Sequence, residues 1–137
     1  MEEVKSPILV VDAIIERDEK IVLIERKIEP FKGMLAFPGG HVKYEETIED
    51  ATKREVKEET NLDVVVQGLL GVGSIVRPDG VHELVLVYKC KKKRGKIKLS
   101  FEHSEYIWTT LGMLKSIENL ATSVISILDK LKEELAE

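Results

Sequence analysis

Residues 38–62 read PGGHVKYEETIEDATKREVKEETNL, and seven of these 25 positions are Asp or Glu. Like charges at helical spacing repel, so a set this dense needs either open solvent or a counter-charge. The spacing predicts a helix over 48–60. Thr47 suits an N-cap, with Asp50 three positions on as a variant of the capping box, and Asn61 suits the left-handed position that closes a helix. At about 100° per residue, Glu55, Glu58 and Glu59 fall within an arc of about 100°, on the side that also carries Ile48 and Ala51. A purely solvated acidic face would lie opposite those apolar residues. Carboxylates turned toward a core are costly unless something neutralises them.

A hard divalent cation is the fitting neutraliser, because Mg²⁺ and its like prefer carboxylate and carbonyl oxygens. Arg54 adjoins Glu55 and lies one turn from Glu58, so it can orient a ligand or lower its pKa. Gly39 and Gly40 leave the backbone free to turn a carbonyl toward the same metal and to admit a phosphate.

Gly40, Glu46 and the run Arg54-Glu55-Val56-Lys57-Glu58-Glu59-Thr60-Asn61-Leu62 stand at the spacing G-x5-E-x7-R-E-U-x-E-E-x-G-U, with U aliphatic. This resembles the box of the Nudix hydrolase family, here over 40–62. The departure is Asn61 in place of glycine, and Asn is the next-best residue for a left-handed turn. The resemblance implies an α/β (α+β) fold in which a mixed β-sheet is sandwiched between helices. It further implies a hydrolase that uses Mg²⁺ or Mn²⁺ to cleave a nucleoside diphosphate linked to another moiety. On that reading the metal ligands are Glu55, Glu58, Glu59 and the Gly39 carbonyl, with Glu46 and Arg54 orienting them. Gly40, His41 and Pro78 are the substrate-side candidates.

Pro78 stands 16 residues past Leu62, an offset that resembles the ADP-ribose pyrophosphatase subgroup. ADP-ribose, cleaved to AMP and ribose 5-phosphate, is therefore the expected substrate. A nucleoside triphosphate, a dinucleoside polyphosphate, or a nucleotide-sensing module without catalysis are the alternatives. The subgroup resemblance also carries the expectation of a homodimer. The general base is open among Glu55, Glu102 and Glu105. Many family members use a Glu from a mobile loop before a late Trp strand, and SFEHSEYIW places Glu102 farther into that loop than Glu105, which makes Glu102 the first choice.

The remainder of the chain is consistent with one domain over 1–137. Of the 137 residues 43% are hydrophobic and 34% charged, at a net charge of −4, enough apolar material for a core and no general attraction for polyanions. No nucleic-acid partner is expected; the run 89–96, KCKKKRGK, reads as a solvated hairpin tip turning at Gly95. A single cysteine, Cys90, excludes an internal disulfide and suits a reducing, cytoplasmic setting. No apolar run approaches the ~20 residues that span a bilayer. Apolar runs at 8–15 and 20–28 predict a hairpin, 35–37 a short strand, 64–76 and 82–91 longer strands across the turn 77–80, and 96–99 and 106–109 short strands. Apolar residues at helical spacing predict an amphipathic helix over 119–137. Phe31, Tyr88 and Trp108 could stack on a base.

Overall fold

The computed structural model describes residues 5–29 and 31–127. Strands β1 (Ile8–Arg17) and β2 (Lys20–Arg26) form the expected hairpin. Its two turn residues, Asp18 and Glu19, both have positive φ, 51° and 64°, the handedness that suits the twist of a two-residue hairpin. The strands pair only beside that turn, at Glu16↔Ile21 and Arg17↔Lys20. They then part. β3 (Leu35–Ala36) pairs with the far half of β2, and β4 (Gly39–His41) with Val10–Asp12 of β1.

Beyond β1 lies β6 (His82–Arg94), parallel to it, and then β5 (Asp63–Val76), antiparallel to β6; β7 (His103–Thr109) pairs with the outer side of β2. The result is a seven-stranded mixed sheet. Along β1 the side chains alternate between two cores, as strand geometry requires. Ala13 and Ile15 face helix α1 (Ile48–Thr60) through Val56 and Leu62, whereas Val10 and Ile14 face Leu114, Leu120 and Val124 on and around α2 (Leu111–Leu114) and α3 (Thr122–Ile125). Helical elements thus cover both faces of the sheet. Ile14, Ile15 and Leu23 are fully buried, each contributing on the order of 2 kcal/mol of hydrophobic stabilisation.

The expected elements differ from the structure in three places. Residues 96–99 are not a strand. They run along the end of α1, where Lys98 N–H donates to Thr60 O (2.9 Å) and Ser100 N–H to Glu59 O (3.1 Å), so the orphan carbonyls of the helix terminus replace a strand partner. The basic run is not a hairpin tip either. β6 continues to Arg94, and the chain turns at Gly95 (φ 108°). Of the helix expected over 119–137, the described part is Thr122–Ile125, preceded by a bridge between Leu35 and Leu120; Leu128, Leu131 and Leu135 lie outside the described residues.

Candidate functional site

Helix α1 begins and ends as its sequence dictates. Thr47 Oγ1 accepts from Asp50 N–H at 3.1 Å, and Asn61 takes the left-handed conformation (φ 67°) with its N–H on Lys57 O at 3.0 Å. Asn61 Nδ2 also donates to Lys96 O (3.2 Å), a contact glycine could not make. Ala51 and Val56 are fully buried and fix the roll of the helix.

That roll grades the three glutamates. Glu59 is only 7% exposed, the Glu55 side chain 14%, and the Glu58 side chain 54%. The expectation that all three turn toward the core therefore holds for two. Positions i and i+4 stack nearly in line, whereas i+3 falls about 60° to the other side, here the solvent side.

Arg54 gathers the acidic groups in one fork. Its Nε and Nη2 donate to Glu46 (2.6 and 2.9 Å), Nη1 to Glu55 Oε1 (2.7 Å) and Glu58 Oε2 (3.2 Å), and Nη2 also to His41 O (2.9 Å). The Arg54 bond and the Lys43 N–H hold the Glu46 carboxyl down at about 2. Glu55 behaves differently. Burial raises its pKa, and Arg54 lowers it as its position suggests but by less, so the net shift is upward.

Gly39 and Gly40 make room for these carboxylates. A Cβ on Gly40 would collide with the Glu55 carboxyl group, and one on Gly39 with the Val11 carbonyl and Asp12 Oδ1. The Gly39 N–H donates to Glu59 Oε1 at 2.7 Å. Burial drives Glu59 up to about 8 despite that bond.

A cavity of about 680 Å³ lies where β1 and β2 part. Glu55, Glu58, Glu59, Gly39, Gly40, His41 and Glu102 all line it. Pro78 and Glu105 do not; Pro78 is exposed in the β5–β6 turn, and its neighbour Arg77 reaches the wall instead, bonded to Glu83 (3.2 Å) and Asp79. The loop bearing Glu102 is less free than its sequence implies, because Lys27 N–H donates to Glu102 O at 2.7 Å. Of the candidate stacking aromatics, Phe31 lines the cavity, whereas Tyr88 and Trp108 pack against the core under α1.

Sequence reasoning missed Asp12, Arg26, Glu83 and His103, all of which line the cavity. Asp12 had a legible signal, a lone charge inside the apolar run ILVVDAII. It is 8% exposed, and burial, with Glu83 nearby, raises it to about 7. His103 is 4% exposed and is lowered by burial to about 4. Its Nε2 stands 3.6 Å from Glu59 Oε2 and its Nδ1 3.1 Å from Ser100 Oγ.

The donor chemistry fits a hard divalent cation. The lining carries six carboxylates, from Asp12, Glu55, Glu58, Glu59, Glu83 and Glu102, against the two arginines Arg26 and Arg77. Asp12, Glu55 and Glu59 are desolvated to the point of holding protons more tightly, and a cation would displace those protons. The positions are not yet those of a closed coordination sphere. Among the described residues no group of three or more His, Cys, Asp or Glu is arranged to hold a metal as it stands. In this arrangement Arg54 bonds Glu55 and Glu58, and Gly39 N–H bonds Glu59 Oε1.

A family model described as the NUDIX domain matches residues 7–131. An ADP-ribose pyrophosphatase of Methanocaldococcus jannaschii is 45% identical over 112 residues, 81% of this chain and 66% of that protein. The chain thus spans about two thirds of the length of that relative. The crystal structure of a MutT NUDIX hydrolase from Burkholderia pseudomallei matches with a TM-score of 0.81 at 28% identity, covering 92% of this chain and 98% of that one. The MutT protein of Methanosarcina mazei Go1 shares the fold, with a TM-score of 0.87 at 24% identity over 98% and 100% of the two chains.

Proposed function

Because the chain belongs to the NUDIX family, we propose that it is a metal-dependent hydrolase of a nucleoside diphosphate linked to another moiety, with ADP-ribose, split to AMP and ribose 5-phosphate, as the preferred substrate. One observation carries the reading: Glu55, Glu58 and Glu59 line a nucleotide-sized cavity from one helix, with Arg54 bonding Glu55, Glu58 and Glu46, and Gly39 N–H bonding Glu59. The name of the Methanocaldococcus jannaschii relative supports ADP-ribose. So does Pro78, whose turn (Gly80 N–H to Arg77 O, 2.8 Å) sets Arg77 at the cavity wall.

Glu55, Glu58, Glu59 and the Gly39 carbonyl are the groups that would hold Mg²⁺ or Mn²⁺. A bound cation would supply charge neutralisation for the pyrophosphate and for the departing phosphate, and would reverse the sign of a site that otherwise repels a polyanion. Arg54 keeps Glu55 from rotating away, and Glu46 holds Arg54. Glu102, in the cavity wall on the turn that Ser100 anchors to the end of α1, takes the proton of the attacking water. Gly40 and His41 line the approach of the phosphates.

The test is competition. ADP-ribose, nucleoside triphosphates and dinucleoside polyphosphates are offered together with Mg²⁺, and the monophosphate released is identified. AMP and ribose 5-phosphate should dominate. A preference for a triphosphate or a dinucleoside polyphosphate would refute the substrate, and binding without turnover would refute the activity.

A further inference from the structure

His103 is a buried polar residue of the cavity lining that takes no part in the chemistry above. It opens β7 at the end of the turn that carries Glu102, and three elements meet around it. Its own N–H donates to Ser100 O (3.2 Å), closing that turn. Ser100 N–H in turn donates to Glu59 O (3.1 Å), so the turn is anchored on the helix residue whose side chain His103 faces. On the opposite side His103 pairs with Arg26 of β2, just past a bulge.

Both ring nitrogens face polar partners: Nδ1 is hydrogen-bonded to Ser100 Oγ at 3.1 Å, and Nε2 stands 3.6 Å from Glu59 Oε2, just beyond hydrogen-bond length. A neutral imidazole has one donor and one acceptor nitrogen, and an ionised carboxylate only accepts. When Glu59 is ionised, Nε2–H therefore faces Oε2 and Nδ1 accepts the Ser100 hydroxyl proton. Glu59 Oε1 already accepts from Gly39 N–H at 2.7 Å. Each oxygen then has one donor facing it, and Glu59 itself lines the cavity. A histidine merely filling the core would not need its two nitrogens aligned with a turn hydroxyl and a cavity carboxylate.

We propose that His103 is a positioning residue for Glu59, clamping Oε2 opposite the Gly39 N–H, with Ser100 Oγ setting its tautomer. The proposal rests on the reading of Glu59 as a metal ligand. Groups that orient metal-binding carboxylates typically change metal affinity by ~10–100-fold when removed. The same clamp joins the metal side of the cavity to the turn of Glu102, so the two sides are held in one register.

Direct Mn²⁺ binding, followed by electron paramagnetic resonance of the free ion, tests this without turnover. His103→Ala should bind Mn²⁺ about 10-fold more weakly than the native chain. His103→Gln, whose amide can still donate, should recover most of the loss. Ser100→Ala should weaken binding by about threefold, because the tautomer is no longer fixed. Thermal melts in EDTA accompany each variant; a purely structural role would lower Tm and leave Mn²⁺ affinity alone. Native affinity in folded His103→Ala, or in Ser100→Ala should the former not fold, would overturn the clamp. Failure of the native chain itself to bind Mn²⁺ would overturn the metal reading and the clamp with it.

Discussion

Gly40 and Glu55 are in such close contact that no side chain fits between them, since a Cβ at Gly40 would fall on the Glu55 carboxyl group. Gly40 cannot retreat, because β4 is paired to β1 at Val11↔Gly40. The carboxylate must give way, losing its 2.7 Å bond to Arg54. Gly40→Ala should therefore fold nearly as stably as the native chain and lose about 10²-fold or more in turnover, the scale of an ångström's misplacement. Gly39→Ala should do the reverse first, because its added methyl meets the fixed Val11 carbonyl and lowers Tm. A rate for Gly40→Ala within twofold of native would show that Glu55 has no role in the chemistry.

Arg54 and Glu46 carry a second prediction. Glu46 accepts two bonds from the guanidinium, leaving Nη1 for Glu55 and Glu58. Arg54→Lys keeps the charge and loses the fork, which a point-like ammonium cannot reproduce. It should lower turnover by roughly 10–100-fold and raise the Mg²⁺ concentration needed for half-maximal rate. Glu46→Gln should do the same to a smaller degree. An unchanged Mg²⁺ dependence in Arg54→Lys would separate Arg54 from the metal groups.

What the sequence revealed, it revealed through local chemistry. Thr47, Val56 and Asn61 set the ends and roll of α1, and these follow from neighbours within one or two turns. The parting of β1 and β2, by contrast, depends on β3 and β4 pairing into the opening, which no local pattern encodes. Asp12, Arg26 and His103 reach the cavity only because three strands converge there. Residues 96–99 misled for the same reason: their alternation is real, but the groups that satisfy them belong to Thr60 and Asn61 at the end of α1.

The general base separates cleanly between two neighbouring glutamates. Glu102 lines the cavity, and Glu105 is exposed on β7 away from it. Glu102→Gln should cost roughly 10²–10⁴-fold in rate and flatten the acidic limb of the pH–rate profile, with Mn²⁺ affinity nearly native. Glu105→Gln should change neither. A wild-type profile in Glu102→Gln would move the role to Glu55.

The desolvated carboxylates also make a prediction about stability without metal. Asp12 is raised from 3.8 to about 7, and Glu59 from 4.5 to about 8. Between about pH 4 and pH 8 the folded chain thus retains protons that the unfolded chain has released. Stability falls with rising pH wherever the folded state binds more protons, so these two carboxylates make it decline across this window, while His103, lowered by burial from 6.5 to about 4, opposes them below about pH 6.5 and makes the decline shallower there. Glu46, Asp63 and Asp79 are shifted downward by Arg54, Arg94 and Arg77 respectively; their contribution is complete above about pH 4.5 and is lost only in more acidic solution. The metal-free chain should accordingly melt highest near pH 5. Glu59→Gln and Asp12→Asn should each remove part of the decline between pH 5 and pH 8. Saturating Mg²⁺ should oppose it, because ligation requires the ionised forms and gains as protons leave. Melting temperatures at pH 5, 6, 7 and 8, in EDTA and in Mg²⁺, decide the matter. A Tm that is level over this range in EDTA, or a slope unaltered by both substitutions, would mean that these two carboxylates are ionised in the folded chain.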